Sequence, residues 1–267
     1  MRMLSPDLLD RRALALVELR DPWGRPLISP ARVSGEGLRV VAKGGGRFAI
    51  VAAAGFAAHE STFAAAPQAP AIGSVGLRLD IVPADSAFAP RSAVLKLPRD
   101  PDPDHGGQPG SVFQAVAIAL LPAPQSPIPA TAAGVRVTVR KKGDGRRVAG
   151  ALVRVASADG KFKAHAVTDA AGEALVVVAQ FPPSHTGGGG QIADSLEAKA
   201  TVVADPAKIA LLSDAEVMPA RDVARGQFAG FADPDALDAA LPDPGNGKTL
   251  RLSTRVVATL ELEWTNP

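Results

Sequence analysis

Hydrophobic and polar residues alternate in short runs along most of the chain, as in β-strands that bury one face. The clearest runs span 75–82, 135–140 and 256–264. Arginine, threonine and acidic residues occupy the intervening positions, which predicts a solvent-facing side for each strand. The positions predicted to face a core are Val75, Leu77, Leu79 and Ile81, then Val135, Val137 and Val139, and finally Val256, Ala258, Leu260, Leu262 and Trp264.

Turn-forming residues separate these runs. Examples are Asp21–Pro26, Gly44–Gly46, Gly143–Gly145 and Asp169–Gly172. With 26 Gly and 24 Pro among 267 residues, long helices are disfavoured. Short strands spaced about ten residues apart with turns between them are typical of β-sandwiches. The sequence therefore predicts an all-β protein built from β-sandwiches of the Ig-like or transthyretin-like kind.

A proline-rich stretch at 122–129 predicts a boundary between two domains, residues 1–129 and 130–267. In the second domain, 174–178 is apolar on both faces, which is typical of a strand that is central or covered by a neighbour.

Between residues 205 and 247 the alternation stops, which predicts a long irregular insertion. One short helix is expected within it, with Asp233 as N-cap, Pro234 as its first residue and an end before Pro242. Apolar residues in the insertion, together with residues 1–12, are predicted to dock on neighbouring subunits. Those in the insertion are Ile209, Leu211, Leu212, Val217, Met218, Phe228 and Phe231.

Composition excludes several functions. The chain has no Cys, which rules out disulfides, thiolate zinc sites and a cysteine nucleophile. Its 29 basic and 27 acidic residues give a net charge of +2, so a nucleic-acid partner is not expected. No apolar run is long enough to span a membrane, and we expect a cytoplasmic protein.

The acidic run at Asp100, Asp102 and Asp104 begins like a calcium loop. An EF-hand needs Gly at its sixth position and Glu at its twelfth, where this chain has His105 and Ser111. The pattern therefore favours a solvated acidic loop over a metal site.

No motif of a hydrolase or a phosphate-binding loop is present. Gly187–Gly190 lacks the following Lys and Ser/Thr and is predicted to be a loop. Ser184 and His185 could join a distant acid in a triad, but nothing in the sequence orders them. We assign no catalytic, cofactor-binding or metal residue, and predict no cofactor and no enzymatic activity. The four histidines weighed were His59, His105, His165 and His185.

Five cations flank the turn Gly143–Gly145. They could meet an acidic partner or a phosphate backbone. They could equally keep an edge hairpin soluble, as charges on sheet edges commonly do. The five are Arg140, Lys141, Lys142, Arg146 and Arg147.

Residues 134–178 resemble the carboxypeptidase regulatory-like domain, a transthyretin-like β-sandwich. The resemblance rests on the alternating strand Val135–Val139, the element Gly150–Val155 and the turn Thr168–Gly172 before the apolar strand Glu173–Val178. In this pattern Ala151 fits beneath a crossing strand, Asp169 bonds backbone N–H groups, and Gly172 adopts positive φ. The resemblance implies an accessory docking or folding module without catalytic residues.

The layout of the whole chain also resembles β-sandwich proteins of phage-tail-like contractile injection particles, which assemble in the cytoplasm before release. Together these features predict a non-catalytic structural or adaptor subunit whose partners are other protein subunits. The alternative is a stand-alone β-sandwich module that binds a small molecule, peptide or glycan.

Overall fold

The computed structural model describes residues 13–61, 67–157, 160, 162–178, 184–186, 191–193, 195–215, 232–245, 247–253 and 256–265. Within them the chain forms twenty β-strands and two α-helices whose bounds are described. The all-β class predicted from the sequence is confirmed.

The first half of the chain is a β-sandwich. Its elements are β1 (Ala15–Arg20), β2 (Ala31–Ser34), β3 (Leu38–Gly44), β4 (Arg47–Ala53), α1 (Ala57–Ser61), β5 (Val75–Pro83), β6 (Phe88–Ala89), β7 (Arg91–Leu97), β8 (Val116–Ala119) and β9 (Leu121–Pro122). One sheet has the order β3-β4-β1-β8 and the other β2-β5-β7, while β6 pairs with β9. Both larger sheets contribute to one apolar core, which includes Leu19, Ile50, Leu79 and Leu95.

Several strand ends meet at one end of this first sandwich. β1 and β8 are parallel, with Val17 opposite Val116, so both strands begin there. β7 runs opposite to β8, since the Arg91 side chain at the start of β7 donates to the Ala119 carbonyl at the end of β8, and β7 therefore ends at this same end. There the carbonyl of Pro98 accepts a hydrogen bond from the Gly73 N–H just before β5, at 2.8 Å. We call this the loop end, since the connection 98–115 lies here.

The second half forms another sandwich. Its elements are β10 (Ala133–Lys141), β11 (Arg147–Ala149), β12 (Leu152–Ser157), β13 (Lys163–Val167), β14 (Glu173–Val178), β15 (Ser184–Thr186), β16 (Gln191–Ala193), β17 (Ser195–Val203), β18 (Ala210–Leu212), α2 (Pro234–Ala240), β19 (Lys248–Ser253) and β20 (Val257–Trp264). One sheet runs β14-β10-β11-β18, with β20 parallel to β10. The facing sheet runs β13-β12-β17-β19, and β15 pairs with β16.

Small side chains fill the second core. Its buried residues are mostly Ala and Val, with Leu252, Leu262 and Trp264 as the bulky exceptions. Ala and Val suit sheets that face each other at about 10 Å. The inward positions Val135, Val137 and Val139 are fully buried, as the alternation predicted. The division into two independently folding domains at residue 130 stays a prediction.

The proline-rich stretch covers the second sandwich. The Nε of Arg136 donates to the Pro124 carbonyl at 2.6 Å. Ile128 and Leu175 both lie over Gly134, where a Cβ would come within 3.2 and 3.5 Å of their methyl groups. This cover explains why β14 is apolar on both faces. Of the two possibilities predicted, a central strand or a strand covered by a neighbour, β14 is the covered strand.

The turn between β13 and β14 matches its prediction. The Asp169 carboxylate accepts from the N–H of Ala171 at 2.8 Å and of Glu173 at 3.0 Å. Gly172 has φ of +68°, where residues with a Cβ are strained. Ala151 is fully buried, as the resemblance implied.

The predicted irregular insertion is partly regular. β18 pairs with β11, and Ile209 and Leu211 pack against the second core instead of forming a free surface. The prediction of an exposed docking patch is therefore wrong for Ile209 and Leu211. The pairing of β18 with β11 places both residues against the second core. Residues 1–12 and 216–231, with Val217, Met218, Phe228 and Phe231, lie outside the described residues.

Three further details differ from the sequence predictions. Val256 is exposed, since it precedes β20 and has not yet joined the sheet. α1 was not predicted, because its five residues are too few for a helical period. The strands β15 and β16 were not predicted either; they pair antiparallel on both sides of residues 187–190, which lie outside the described part.

Candidate functional site

The N-terminus of the helix α2 is capped by a side chain next to it in sequence. The Asp233 side chain accepts from the N–H of Asp235 at 3.1 Å and of Ala236 at 3.2 Å, and Pro234 follows as the first residue. The last helical residue is Ala240 and Leu241 is the C-cap, so the predicted N-cap at Asp233 and the predicted end before Pro242 are confirmed. A helix of seven residues is marginal alone, and its stability must come from contacts outside it.

Arg154 holds the C-terminal end of α2. This arginine lies on β12 and is only 5% exposed. It donates to the Asp238 carboxylate at 2.6 Å and to the carbonyls of Asp238, Leu241 and Pro242 at 2.9, 2.6 and 3.0 Å. The last carbonyls of a helix lack intrahelical partners and attract cations. The Arg154 guanidinium therefore provides hydrogen-bond donors for the free carbonyls and a positive charge at this helix end.

Arg91 holds the other end of α2 to the first sandwich. It is 3% exposed and donates to Asp233 at 3.3 Å and to Asp235 at 2.7 Å. The same guanidinium donates to the Ala119 carbonyl at 2.7 Å, and the Ser92 N–H donates to the Ala232 carbonyl at 3.0 Å. α2 thus joins the two sandwiches through a buried arginine on each side.

Two more side chains, both from β13, complete the group. Lys163 Nζ lies 2.8 Å from Asp238, and His165 Nε2 lies 3.2 Å from Asp235. Each of the three aspartates accepts from a buried arginine, so all three carboxylates are engaged in ion pairs. We call Arg91, Arg154, Lys163, His165, Asp233, Asp235 and Asp238 the junction cluster.

His165 and Asp233 were identified from the sequence, but neither Arg91 nor Arg154 was. Arg154 lies between the apolar residues Val153 and Val155, whereas Arg91 begins a strand that also contains Ser92 and Lys96. A cation between apolar residues is a signal for a buried pair, because burying an unpaired charge is costly. The sequence gives no indication of which carboxylates are the partners.

The junction cluster predicts a loss of stability in acid. His165 and Arg91 hold the pKa of Asp235 well below its usual range. An unfolded aspartate titrates near pH 4, so the charged carboxylate stabilises the fold above about pH 4 and this contribution is lost as pH falls further. The side chain is 67% exposed, and screening keeps the effect modest. We expect Asp235→Asn to flatten the acid limb of stability against pH in urea unfolding; an unchanged limb would contradict this.

The acidic loop is occupied internally. The Asp100 carboxylate accepts from the Asp102 N–H at 3.0 Å and pairs with His105 Nδ1 at 2.7 Å. Asp102 caps the 3₁₀ turn Pro103–His105. Pairing with Asp100 raises the pKa of His105, while the Asp102 N–H and then His105 lower the pKa of Asp100. Over the described residues, no three His, Asp or Glu side chains are grouped as metal ligands.

The basic hairpin carries its own counter-charges. Lys141 and Arg146 both pair with Asp144, and the Arg146 N–H and side chain hold the pKa of that carboxyl at about 2. Arg140 and Arg147 share Asp214, with Glu261 and Glu173 as second partners. This pairing favours a charged, soluble edge over a phosphate-binding surface.

The remaining histidines are not brought together. His59 lies on α1 with its ring 5.5 Å from that of Phe56, and its two buried ring nitrogens have no hydrogen-bond partner among the described residues. Ser184 and His185 belong to β15, but their side chains lie outside the described part. The described residues therefore provide no support for a triad at this position.

Comparison with known proteins assigns no family. No family model and no curated protein matches the chain. Among solved structures, the shaft pilin spaA from Lactobacillus rhamnosus GG has 10% identity and a TM-score of 0.25 over 72% of this chain and 69% of its own. BcpA, the major pilin subunit of Bacillus cereus, has 10% identity and a TM-score of 0.26 over 95% of this chain and 60% of its own.

The Bacillus anthracis TIE protein has 8% identity and a TM-score of 0.23, with 95% of this chain matched to 34% of that one. The chain thus spans about a third of that protein's length. TM-scores of this size carry no argument about fold or function. The two helices with described bounds have five and seven residues, and in the described part none could cross a membrane.

Proposed function

We propose that this protein is a non-catalytic structural subunit of a multi-protein assembly, in which the two sandwiches act as one rigid unit. The observation that carries the proposal is the pair of buried arginines, Arg91 and Arg154, that grip the two ends of α2. Buried charges are costly unless they are fully paired, so the paired arginines favour a single placement of α2 against each sandwich. A subunit that sets the spacing of its neighbours needs a junction of this kind.

The assignment of titratable groups also supports a non-catalytic role. The carboxylates of the junction cluster, the acidic loop and the basic hairpin are engaged in internal ion pairs or caps. Groups used in this way stabilise local structure and are not poised for proton transfer. The finer proposal, from the resemblance of the whole layout, is a phage-tail-like contractile injection particle assembled in the cytoplasm.

A distance measurement tests the rigid junction. The chain has no Cys, so Arg39→Cys on β3 and Glu197→Cys on β17 introduce a unique pair for spin labels on exposed positions. We expect a narrow distance distribution between the labels in pulsed electron resonance. Arg91→Leu, which frees α2 from the first sandwich, should broaden it while far-UV circular dichroism stays unchanged. An equally broad distribution in the parent chain would remove the support for a rigid unit.

Isolation from the native cell tests the assembly itself. A tagged chain should sediment as part of a large complex with reproducible protein partners. A monomer without partners would contradict the structural role and favour the stand-alone binding module. A complex without contractile sheath proteins would be consistent with the structural role and would contradict only the proposal of a contractile injection particle.

A further inference from the structure

The loop end of the first sandwich exposes large apolar side chains. Phe113, in the connection 98–115, is 59% exposed, and Ile72, in the turn before β5, is 57% exposed. The turn and the connection are joined by the hydrogen bond from Gly73 to Pro98. The two apolar side chains therefore lie on the same end of the molecule, which we call the Phe113 surface.

The connection that carries Phe113 is held in one conformation. The Arg99 guanidinium donates to the carbonyls of Ser111 at 3.0 Å and Gln114 at 3.3 Å. The Gln114 side chain in turn donates to the Gly106 carbonyl at 2.7 Å, and the Phe113 N–H donates to Ser111 Oγ at 3.2 Å. An aromatic side chain on a fixed backbone loses little entropy when it is covered, which favours binding there.

Charge defines what would cover this surface. The connection contains Asp100, Asp102 and Asp104, and of its basic side chains Arg99 is turned inward to backbone carbonyls while His105 pairs with Asp100. A complementary segment would combine large apolar side chains with arginine or lysine.

Residues 1–12 have this composition. Five large apolar side chains accompany three arginines and two aspartates, so the segment has a positive balance. The apolar ones are Met1, Met3, Leu4, Leu8 and Leu9, and the arginines are Arg2, Arg11 and Arg12.

The segment also enters at the right place. β1 and β8 are parallel with Val17 opposite Val116, and both strands begin at the loop end. Residues 13 and 14 precede β1, and Phe113 lies in the turn that precedes β8, where the Gln114 N–H donates to the Ser111 carbonyl at 3.2 Å. Residue 13 and the Phe113 surface therefore lie at the same end of the first sandwich. A segment joined to the chain at this point has a high effective concentration there, well above that of a second copy in dilute solution.

We infer that residues 1–12 fold back on the loop end of their own chain, with apolar side chains on Phe113 and Ile72 and arginines beside the aspartates of the acidic loop. The inference does not depend on the proposed assembly role. It differs from the sequence prediction that this segment docks on a neighbouring subunit.

Photo-crosslinking in the full chain tests the inference. With Leu8 replaced by p-benzoylphenylalanine, irradiation should give cross-links within one chain, which peptide mass spectrometry should locate in 67–74 or 98–115. The same probe at Ile28 should not reach these residues, because Ile28 is 94% exposed and its neighbour Leu27 donates to the Leu19 carbonyl, near the opposite end of β1. Cross-links to other regions, adducts only between two chains, or no adduct would each overturn the inference.

Proteolysis gives a second readout. Trypsin cleaves after Arg11 and Arg12, and a docked segment resists cleavage. We expect Phe113→Ser to speed this cleavage by about tenfold, a factor equal to roughly 1.4 kcal/mol of lost docking energy. Ile28→Ser serves as the matched control and should leave the rate unchanged. Equal cleavage rates in the parent and Phe113→Ser chains would count against docking.

Discussion

Gly172→Val is expected to lower the unfolding free energy of the second sandwich by about 3 kcal/mol. Gly172 has φ of +68°, which a β-branched residue adopts only with strain. A Cβ at this position would also lie 2.9 Å from Arg147 Cβ, 3.1 Å from the Val148 nitrogen and 3.2 Å from the Val139 oxygen. Two of these neighbours are backbone atoms of β10 and β11, so relief requires the strands to move. Chemical denaturation measures the loss.

Gly145→Val is the matched control. Gly145 has nearly the same φ, +69°, but a Cβ there meets no atom within 4 Å. Its substitution should show the strain alone, and the difference between the two variants should give the cost of the clash. If Gly172→Val and Gly145→Val lower the unfolding free energy equally, the close contacts at Gly172 do not contribute to the loss.

Arg154→Leu is expected to destabilise the protein by about 3 kcal/mol and to release α2 from the second sandwich. The change removes the four hydrogen bonds that end the helix. The expected value is at the lower end for a broken buried ion pair, because Lys163 still pairs with Asp238. Denaturant unfolding gives the energy, and hydrogen exchange of the α2 amides reports the release.

Arg251→Leu provides the comparison on the same sheet. Arg251 is exposed on β19 and donates to Ser195 Oγ. Surface contacts of this kind contribute little, so we expect a change below about 0.5 kcal/mol. An Arg154→Leu chain that is as stable as Arg251→Leu, with protected α2 amides, would refute the role given to Arg154.

Local features of the fold were predictable from the sequence. The burial of Val135, Val137 and Val139 follows from a period of two, and the turn at Asp169 from a carboxylate that bonds nearby N–H groups. The cap of α2 at Asp233 is local in the same sense. Each involves residues within a few positions of one another, where sequence patterns and structure are directly linked.

The junction cluster was not predictable for the opposite reason. Arg91 and Asp235 are 144 residues apart in sequence, and Arg154 and Asp238 are 84 apart. Which carboxylate meets which arginine depends on how two sandwiches are placed, and no periodicity encodes that. β18 was missed likewise, since its three residues become a strand only because β11 offers a free edge.

Because tryptophan and tyrosine are so scarce, each half of the chain contains a single strongly fluorescent side chain. The chain has no Tyr and two Trp. Trp23 lies in the first half, 5.3 Å from the Arg25 guanidinium, and Trp264 is buried in the second core. Indole emission depends on the surroundings of the ring, so the two tryptophans report on different environments. A Trp23→Phe chain therefore emits from the second sandwich alone, and a Trp264→Phe chain from the first.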